Sequence, residues 1–509
     1  MNRSAGILMS VTSLPSKYGI GCFSREAYDF VDWLADAGQT YWQILPLGPT
    51  SYGGADDSPY QAFSAFAGNP YLICLEDLIA EGVLTQEECD AVDFGSGNVD
   101  YDKLHEHRWA LLRKAYERSN ISQDPAYQQF LAENNWWLSD YALFMALKGW
   151  FGDSGWTTWP EDIRLRYGYA LDYYRRELYF DIEFQQYMQY KFFQQWLKLK
   201  AYANEKHIKI VGDIPIYVSP DSSDVWAHPE LFQLDENNTP TAVAGCPPDA
   251  FSADGQMWGN PLYRWDYHKA TGYSWWISRL WQSFRLYDAV RIDHFRGFDE
   301  YFSIPNGSPT ALNGHWEQGP GMDLFNAVKS SLGDKEFIAE DLGLMTDTVR
   351  QLVRDSGFPN MKVLQFGFDL GDIGAANDYL PHNYEPNCVV YSGTHDNETV
   401  TGWIQGLSPE MMKLVRDYLR DHTSSDAELY HTVLAETMGT CAKICIIPVQ
   451  DWLGLDNSAR MNQPSTVKKN WRWRMAAGSL TKEVQDEVLT LTKRYGRFNW
   501  DTIEKKEEA

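Results

Sequence analysis

Acids and histidines stand at the ends of short apolar runs along this sequence. Asp213 falls near the end of IKIVGDIP, Asp293 and His294 near the end of DAVRIDHF, and Glu340 with Asp341 in EFIAEDLG. Gln365 follows MKVL, His395 and Asp396 lie in CVVYSGTHDNE, and Gln450 with Asp451 closes AKICIIPVQD. A single acid at a strand end is most simply a helix cap or a turn former. Several that converge on one opening repel each other, and a reaction or a cation must then make use of them. In RIDHF, alternate strand residues share a face, so Arg291 and Asp293 point together with Ile292 opposite. The guanidinium is expected to lower the carboxylate's pKa and keep it ionised, as a nucleophile requires; an ordinary buried ion pair is the other reading. In AEDLG, only one of Glu340 and Asp341 can face the reaction centre, and parity does not choose between them. The longer Glu reaches a leaving-group oxygen and, beside other negative charge, would carry a proton near neutrality. Asp341 is free to cap the next helix. Asp396 adds a third acid, and three acids suggest sugar chemistry: two for acid and nucleophile work, one to bind hydroxyls more tightly as the ring becomes oxocarbenium-like. His294 and His395 either donate to hydroxyls or are satisfied core histidines.

The same side chains are acceptable metal ligands. Metal-dependent barrel hydrolases commonly place an H-x-H pair on the first strand, where this chain has GILMSVTS, and HExxH is absent. The expectation is therefore an enzyme without metal or cofactor. A non-catalytic glucan-binding protein would keep aromatic residues but has no use for the acid set.

Eight apolar runs must position these groups, starting at Gly6, Thr40, Ile208, Asp288, Glu336, Met361, Cys388 and Ala442. Their continuity suits strands buried on both faces of a parallel sheet. Helical patterns lie between them. Ser24 can cap a helix with Ala27, Phe30, Val31 and Leu34 on one face and Gly38 as its stop. Ile277, Leu280, Trp281 and Phe284 repeat at helical spacing, and Thr346 can cap a helix ending near Gly357. Eight strands alternating with helices imply an α/β fold, a (β/α)8 TIM barrel. An open doubly wound sheet would also hold them, but no G-x-G-x-x-G or phosphate loop supports nucleotide binding. The intervals are uneven. Residues 49–180 are read as an inserted, mainly helical subdomain, with helices over 134–150 and 182–200. Residues 219–275 are read as a loop-rich insertion, and long loops over a barrel mouth are usually functional. All are read as parts of one catalytic domain, 1–509.

Composition narrows the function further. Acids outnumber bases by 70 to 44, a net charge of −26, which argues against nucleic acid and anionic membranes as partners. No apolar run reaches the ~20 residues of a membrane span. The apolar core of MNRSAGILMSVTSLP is too short for a signal peptide, and seven scattered cysteines fit a reducing cytoplasm. Aromatic residues make up 15% of the chain; the core takes most of them, and Trp or Tyr at particular surface positions would offer platforms for sugar rings.

Taken together, SPYQ (58–61), GDIPIYV (212–218), GQMWGNPLY (255–263), RIDHFRGF (291–298), AEDLG (339–343), GTHDNET (393–399) and NWRWR (470–474) resemble the 4-α-glucanotransferases, the amylomaltases or disproportionating enzymes of glycoside hydrolase family 77. The motifs occur in the family's order over nearly the whole chain; RIDHF or THDNE alone would indicate only the wider α-amylase clan. The resemblance implies transfer of α-1,4-glucan segments by a retaining double displacement, with α-1,4-glucan hydrolysis as the nearest alternative activity. It implies Asp293 as nucleophile, Glu340 as acid/base and Asp396 as transition-state stabiliser. It assigns Arg291, Asp213 and His395 to the sugar next to the cleaved bond, Tyr60 to stacking on that sugar, Asp249, Gln256 and Trp258 to a mobile substrate-covering loop near 245–260, and Asn462 to a second loop near the groove, and it implies no separate C-terminal all-β domain. His294 joins them as a substrate-binding candidate. Glu317 and Gln318 depart from the expected pattern and bear on the acceptor side. Maltooligosaccharides, starch or glycogen-type glucans are the implied partners of a monomer or homodimer.

Overall fold

The computed structural model describes residues 3–50, 57–248, 254–343, 345–370, 377–467 and 469–504. In chain order its strands are β1 (Ser4–Leu8), β2 (Tyr41–Gln43), β3 (Lys209–Pro215), β4 (Ala242–Cys246), β5 (Gln256–Pro261), β6 (Ala289–Asp293), β7 (Glu300–Pro305), β8 (His315–Gln318), β9 (Glu336–Ala339), β10 (Asn360–Val363), β11 (Cys388–Tyr391) and β12 (Ile444–Pro448). Eight of them close a parallel barrel in the order β1-β12-β11-β10-β9-β6-β3-β2, and these are the eight apolar runs expected as strands. The runs are continuous because both faces are covered: β11 and β12 are buried at every residue. Each Val, Ile or Leu so enclosed contributes about 1.5–3 kcal/mol. In β3, Gly212 admits no side chain, since a Cβ there would lie 2.2 Å from the ring of Tyr287.

The helices follow their sequence signals with two departures. Helix Arg25–Asp36 buries Ala27, Phe30, Val31 and Leu34, and Gly38 stops the chain at φ +69°. Ser24 stands at its start, but its hydroxyl donates to Glu26 Oε2 (2.5 Å) rather than accepting from the backbone. Thr346 does cap Asp347–Ser356, accepting from Val349 N at 3.3 Å. In Ser274–Leu286, Leu280 is buried while Trp281 remains 43% exposed, off the face its spacing suggested.

The long β2–β3 connection carries helices Pro125–Trp150 and Tyr179–Glu205, which pack together. Two glutamines of the second helix hold the connecting chain as a strand would. Gln189 exchanges both amide hydrogen bonds with the backbone of Gly68 (2.7 and 2.8 Å), and Gln195 does so with Cys74 (2.7 and 3.3 Å). A second sheet, antiparallel in the order β5-β4-β7-β8, forms partly from the Pro- and Gly-rich stretch between β3 and β6. Among the described residues no helix is long and apolar enough to cross a membrane.

Asp451, just past β12, is 1% exposed. It accepts from Ser392 Oγ (2.6 Å) and Val400 N (2.8 Å), bracketing the loop that carries His395 and Asp396. Asp451→Ala strands both donors in the interior and should destabilise the protein by about 2–3 kcal/mol. A lowered midpoint of urea unfolding is the check; an unchanged midpoint would show that the bracket contributes nothing.

Candidate active site

Register brings the acids to one rim. β3 and β6 pair Asp213 with Arg291, and β6 and β9 pair Ile292 with Ala339. The next residues on the last two strands, Asp293 and Glu340, therefore emerge side by side at the C-terminal end of the barrel, the mouth where such barrels place their chemistry. Arg291, 3% exposed, presents Nη1 to both oxygens of Asp213 (2.8 and 2.7 Å) and Nη2 to Asp293 Oδ1 (3.1 Å). The shared face of Arg291 and Asp293 expected from strand alternation is thus observed. Tyr60 Oη donates to Asp213 Oδ2 at 2.8 Å and lies 2.9 Å from His395 Nε2, which in turn approaches Asp396 Oδ2 at 3.3 Å. The rings of Tyr60 and His395 stack 5.2 Å apart. One polar chain thus runs Asp293–Arg291–Asp213–Tyr60–His395–Asp396.

Glu340 is held differently. Its Oε2 accepts from His294 N (2.6 Å) and its Oε1 from Leu342 N (2.7 Å). The first bond requires His294 to turn its N–H back toward β9, and the residue sits in the left-handed region at φ +56°, a conformation a non-glycine residue adopts only when its surroundings impose it. Asp341 points away. It accepts from Met361 N and Asn360 Nδ2, both at 3.0 Å, and so anchors the start of β10. It does not cap the following helix, because Thr346 already does.

Electrostatics separate the three acids. Burial, with further push from Asp213 and Asp396, raises Asp293 to about 6 despite Arg291. This corrects the expectation that the guanidinium would hold Asp293 low. The physical reason is burial, which outweighs the single contact that Arg291, engaged by both oxygens of Asp213, makes with Asp293. Burial and the charge of Asp293 raise Glu340 to about 8, against the pull of Arg291 and its two backbone donors. Asp396 goes the other way: although burial would raise it, His395 and Asn462 hold it at about 2. His395 is correspondingly raised by Asp396, whereas burial lowers His294 to about 3 and leaves its imidazole neutral. The side chains of Asp293 and Asp396 remain 30% and 42% exposed, open to the cleft.

The other candidates divide. Gln256 and Trp258 lie on β5, where Trp258 Nε1 donates to Gln256 Oε1 (3.2 Å) and the indole meets the His294 ring at 4.8 Å. Asn462 touches Asp396 directly, donating from Nδ2 to Oδ1 at 2.6 Å. Asp249 lies outside the described residues. Glu317 accepts from Tyr301 Oη (2.7 Å) within the antiparallel sheet, and Gln318 donates to Asp299 O (2.6 Å). Two contributors carried no role in the sequence reading. Arg460 donates to the carbonyls of Asp396 (2.6 Å) and Asn462 (2.7 Å), and the Trp471 ring packs 5.6 Å from Tyr60 and 5.9 Å from His395. NWRWR marked the second of these; nothing local marked Arg460. Beside the mouth a cavity of about 920 Å³ is lined by Gln61, Phe63, Trp109, Tyr141, Trp150 and Trp258. Among the described residues, the cluster whose ligand atoms could share a metal ion is Cys22, Cys74 and Glu76, none of which belongs to this polar chain.

An acid-lined mouth with aromatic walls on a (β/α)8 barrel defines a carbohydrate-processing class of enzyme. Comparison with known proteins narrows it. The family profile described as 4-alpha-glucanotransferase matches residues 9–481. A 4-alpha-glucanotransferase of Streptococcus pneumoniae is 48% identical over 99% of both chains, and one of Thermus thermophilus is 46% identical over 94% of this chain and 96% of its own. The solved amylomaltase of Streptococcus agalactiae in complex with acarbose superposes with a TM-score of 0.94 at 43% identity, covering 98% of this chain and all of that one. The chain belongs to the 4-alpha-glucanotransferase family.

Arg291→Lys tests the fork. A single ammonium cannot serve both carboxylates in this geometry. Turnover should fall about 100-fold or more with the far-UV spectrum unchanged; near-normal turnover would mean that only the charge matters.

Proposed function

We propose that this enzyme moves segments of α-1,4-glucan from a donor maltooligosaccharide or starch chain to the 4-hydroxyl of an acceptor glucan or glucose, through a covalent glycosyl-enzyme. The observation that carries the reading is the pairing at the rim: Asp293, open to the cleft, beside Glu340, whose carboxyl is raised toward the neutral range and oriented by two backbone N–H groups. Glu340 protonates the glycosidic oxygen as Asp293 attacks the anomeric carbon. The C–O bond to the leaving glucan breaks, and the donor segment is held as an ester with inverted configuration. The acceptor 4-hydroxyl, giving its proton to Glu340, then displaces Asp293 and restores the α-configuration. Such a sequence works best with carboxyl groups about 5–5.5 Å apart. Asp396, ionised through His395 and Asn462, accepts sugar hydroxyls more strongly as the ring flattens. Arg291, Asp213, Tyr60 and His395 form the wall against the sugar next to the cleaved bond, with His294 at its edge. Asp249, Gln256 and Trp258 cover the donor, and Asn462 acts through Asp396.

The ester conserves the energy of the broken bond, and the carboxylates supply nucleophile, acid and base, so the reaction calls for no nucleotide, nicotinamide or metal. Transfer prevails over hydrolysis when the acceptor is positioned, since effective molarities of about 10⁵ M or more outweigh the concentration of water. The large aromatic cavity beside the mouth is suited to holding that acceptor chain. In this reading residues 49–180 and 219–275 are insertions that wall the groove, and the enzyme works in the cytoplasm as a monomer or homodimer.

With maltotriose as sole substrate, glucose and longer maltodextrins should accumulate while total reducing ends stay nearly constant. A steady rise in reducing ends would assign the chain to hydrolysis instead. Asp293→Asn should abolish turnover without unfolding the protein, and residual turnover of more than about one part in a thousand would remove Asp293 from the nucleophile's role. The pH profile follows from the signs of the two shifts. Asp293 must be ionised, so the rate falls as pH drops through about 6; Glu340 must be protonated, so it falls as pH rises through about 8. A bell between these limits, with its alkaline limb abolished in Glu340→Gln when an activated donor removes the need for an acid, is the expected result. A flat profile across that range would contradict it.

A further inference from the structure

Trp136 and Trp281 are each 43% exposed, and their rings meet at 6.3 Å. A lone exposed aromatic needs no explanation, but a pair beside a cavity does. Trp136 forms one wall of a cavity of about 250 Å³ whose other apolar faces include Phe66, Trp137, Leu231 and Trp275. The Phe66 ring stands edge-on to Trp136 at 4.9 Å and to Trp275 at 5.9 Å. No catalytic acid lines this space.

The polar groups at its edge indicate the kind of occupant. Asp140, Asp224 and Glu230 all face the cavity, and each already has a donor. Arg166 Nη2 reaches Asp140 at 2.7 Å, Ala65 N reaches Asp224 at 2.9 Å, and His228 Nδ1 lies 3.4 Å from Glu230. Asp140 and Glu230 are thus paired with basic side chains, and Asp224 is held by a backbone N–H. Aromatic faces ringed by satisfied, strongly accepting groups suit a neutral polyol, whose C–H face lies on a ring while its hydroxyls donate outward. The space holds one hexose unit, and its open side lets a chain continue.

We propose that this cavity binds a glucosyl unit of an α-glucan, as an auxiliary site separate from the catalytic mouth. The proposal rests on the glucan chemistry set out above. The two sites are joined by one stretch of chain: Tyr60 stands in the mouth, Phe66 stands in the cavity wall, and between them Ser223 N holds Phe63 O (2.8 Å) while Asp224 holds Ala65 N. A polymer gripped at Phe66 and Trp136 is kept near the mouth, which raises its local concentration there; a trisaccharide, too short to occupy both, gains nothing.

The test uses the full chain. In Asp293→Asn protein, where turnover is blocked, calorimetric titration with maltotriose should resolve two binding events, and adding Trp136→Ala with Trp281→Ala should remove one of them. Crystals soaked in maltotriose should show a sugar on the Trp136 ring. In otherwise wild-type enzyme the same pair of substitutions should raise the ratio of KM for amylose to KM for maltotriose by about tenfold. The inference is overturned by a single binding event unaffected by the substitutions, by an equal rise in both KM values, or by a cavity that takes choline but no sugar. Failure of the underlying glucan reading is separately visible, because wild-type enzyme would then leave maltotriose unchanged whatever the soaked crystals show.

Discussion

Arg291 is the charge on which the barrel mouth depends. Asp213, Asp293, Glu340 and Asp396 lie close enough to influence one another, and all four are drawn to this one guanidinium at the end of β6. Its Nη1 takes both oxygens of Asp213, which fixes that carboxylate as the acceptor for Tyr60; Tyr60 then aligns His395, and His395 holds Asp396 ionised. Burying such a pair is expensive unless its remaining lone pairs are satisfied, and here they are. What is left over for Asp293 is a single contact. Burial outweighs that contact and keeps Asp293 close to titration, while Asp396, at the far end of the chain of contacts, is kept firmly charged.

Glu340 stands outside that chain and is governed by backbone geometry. The two N–H groups that grip its oxygens come from His294, forced into the left-handed region, and from Leu342, two residues along its own strand end. Side chains can swing; peptide groups at the rim of a closed barrel cannot. In the proposed mechanism this keeps in a single orientation an acid that donates a proton in one step and takes one back in the next.

Much of this was legible in the sequence because the physics is local. Strands covered on both faces leave continuous apolar runs, so all eight barrel strands could be found, and strand parity placed Arg291 and Asp293 together. Parity could not decide between Glu340 and Asp341. That choice depends on which residue of β6 pairs with which residue of β9, a long-range relation with no local mark. The antiparallel sheet went unseen for a similar reason: β4 and β5 lie in a Pro- and Gly-rich stretch without a continuous apolar run, and β4 pairs on its other edge with β7, far along the chain. Asn462 was marked as a groove residue, but its grip on Asp396 spans sixty-six positions and could only be seen in three dimensions. Trp281 shows the opposite limit, since helical spacing marked it for the core and the fold left its ring in solvent beside Trp136.

Helix Tyr179–Glu205 also works as a ruler. Gln189 and Gln195 are six residues apart, about 9 Å along a helix axis, and the backbone they hold, Gly68 to Cys74, is also six residues long. Extended chain of that length would reach about 20 Å, roughly twice the axial separation of the two amides, and the short turn Pro70–Leu72 takes up the slack. Insertions or deletions between Gly68 and Cys74 would break the match at one amide or the other. Length variation among relatives should therefore collect on either side of this measured span, and the tether between the Tyr60 segment and the barrel should stay the same size however the surrounding chain is remodelled.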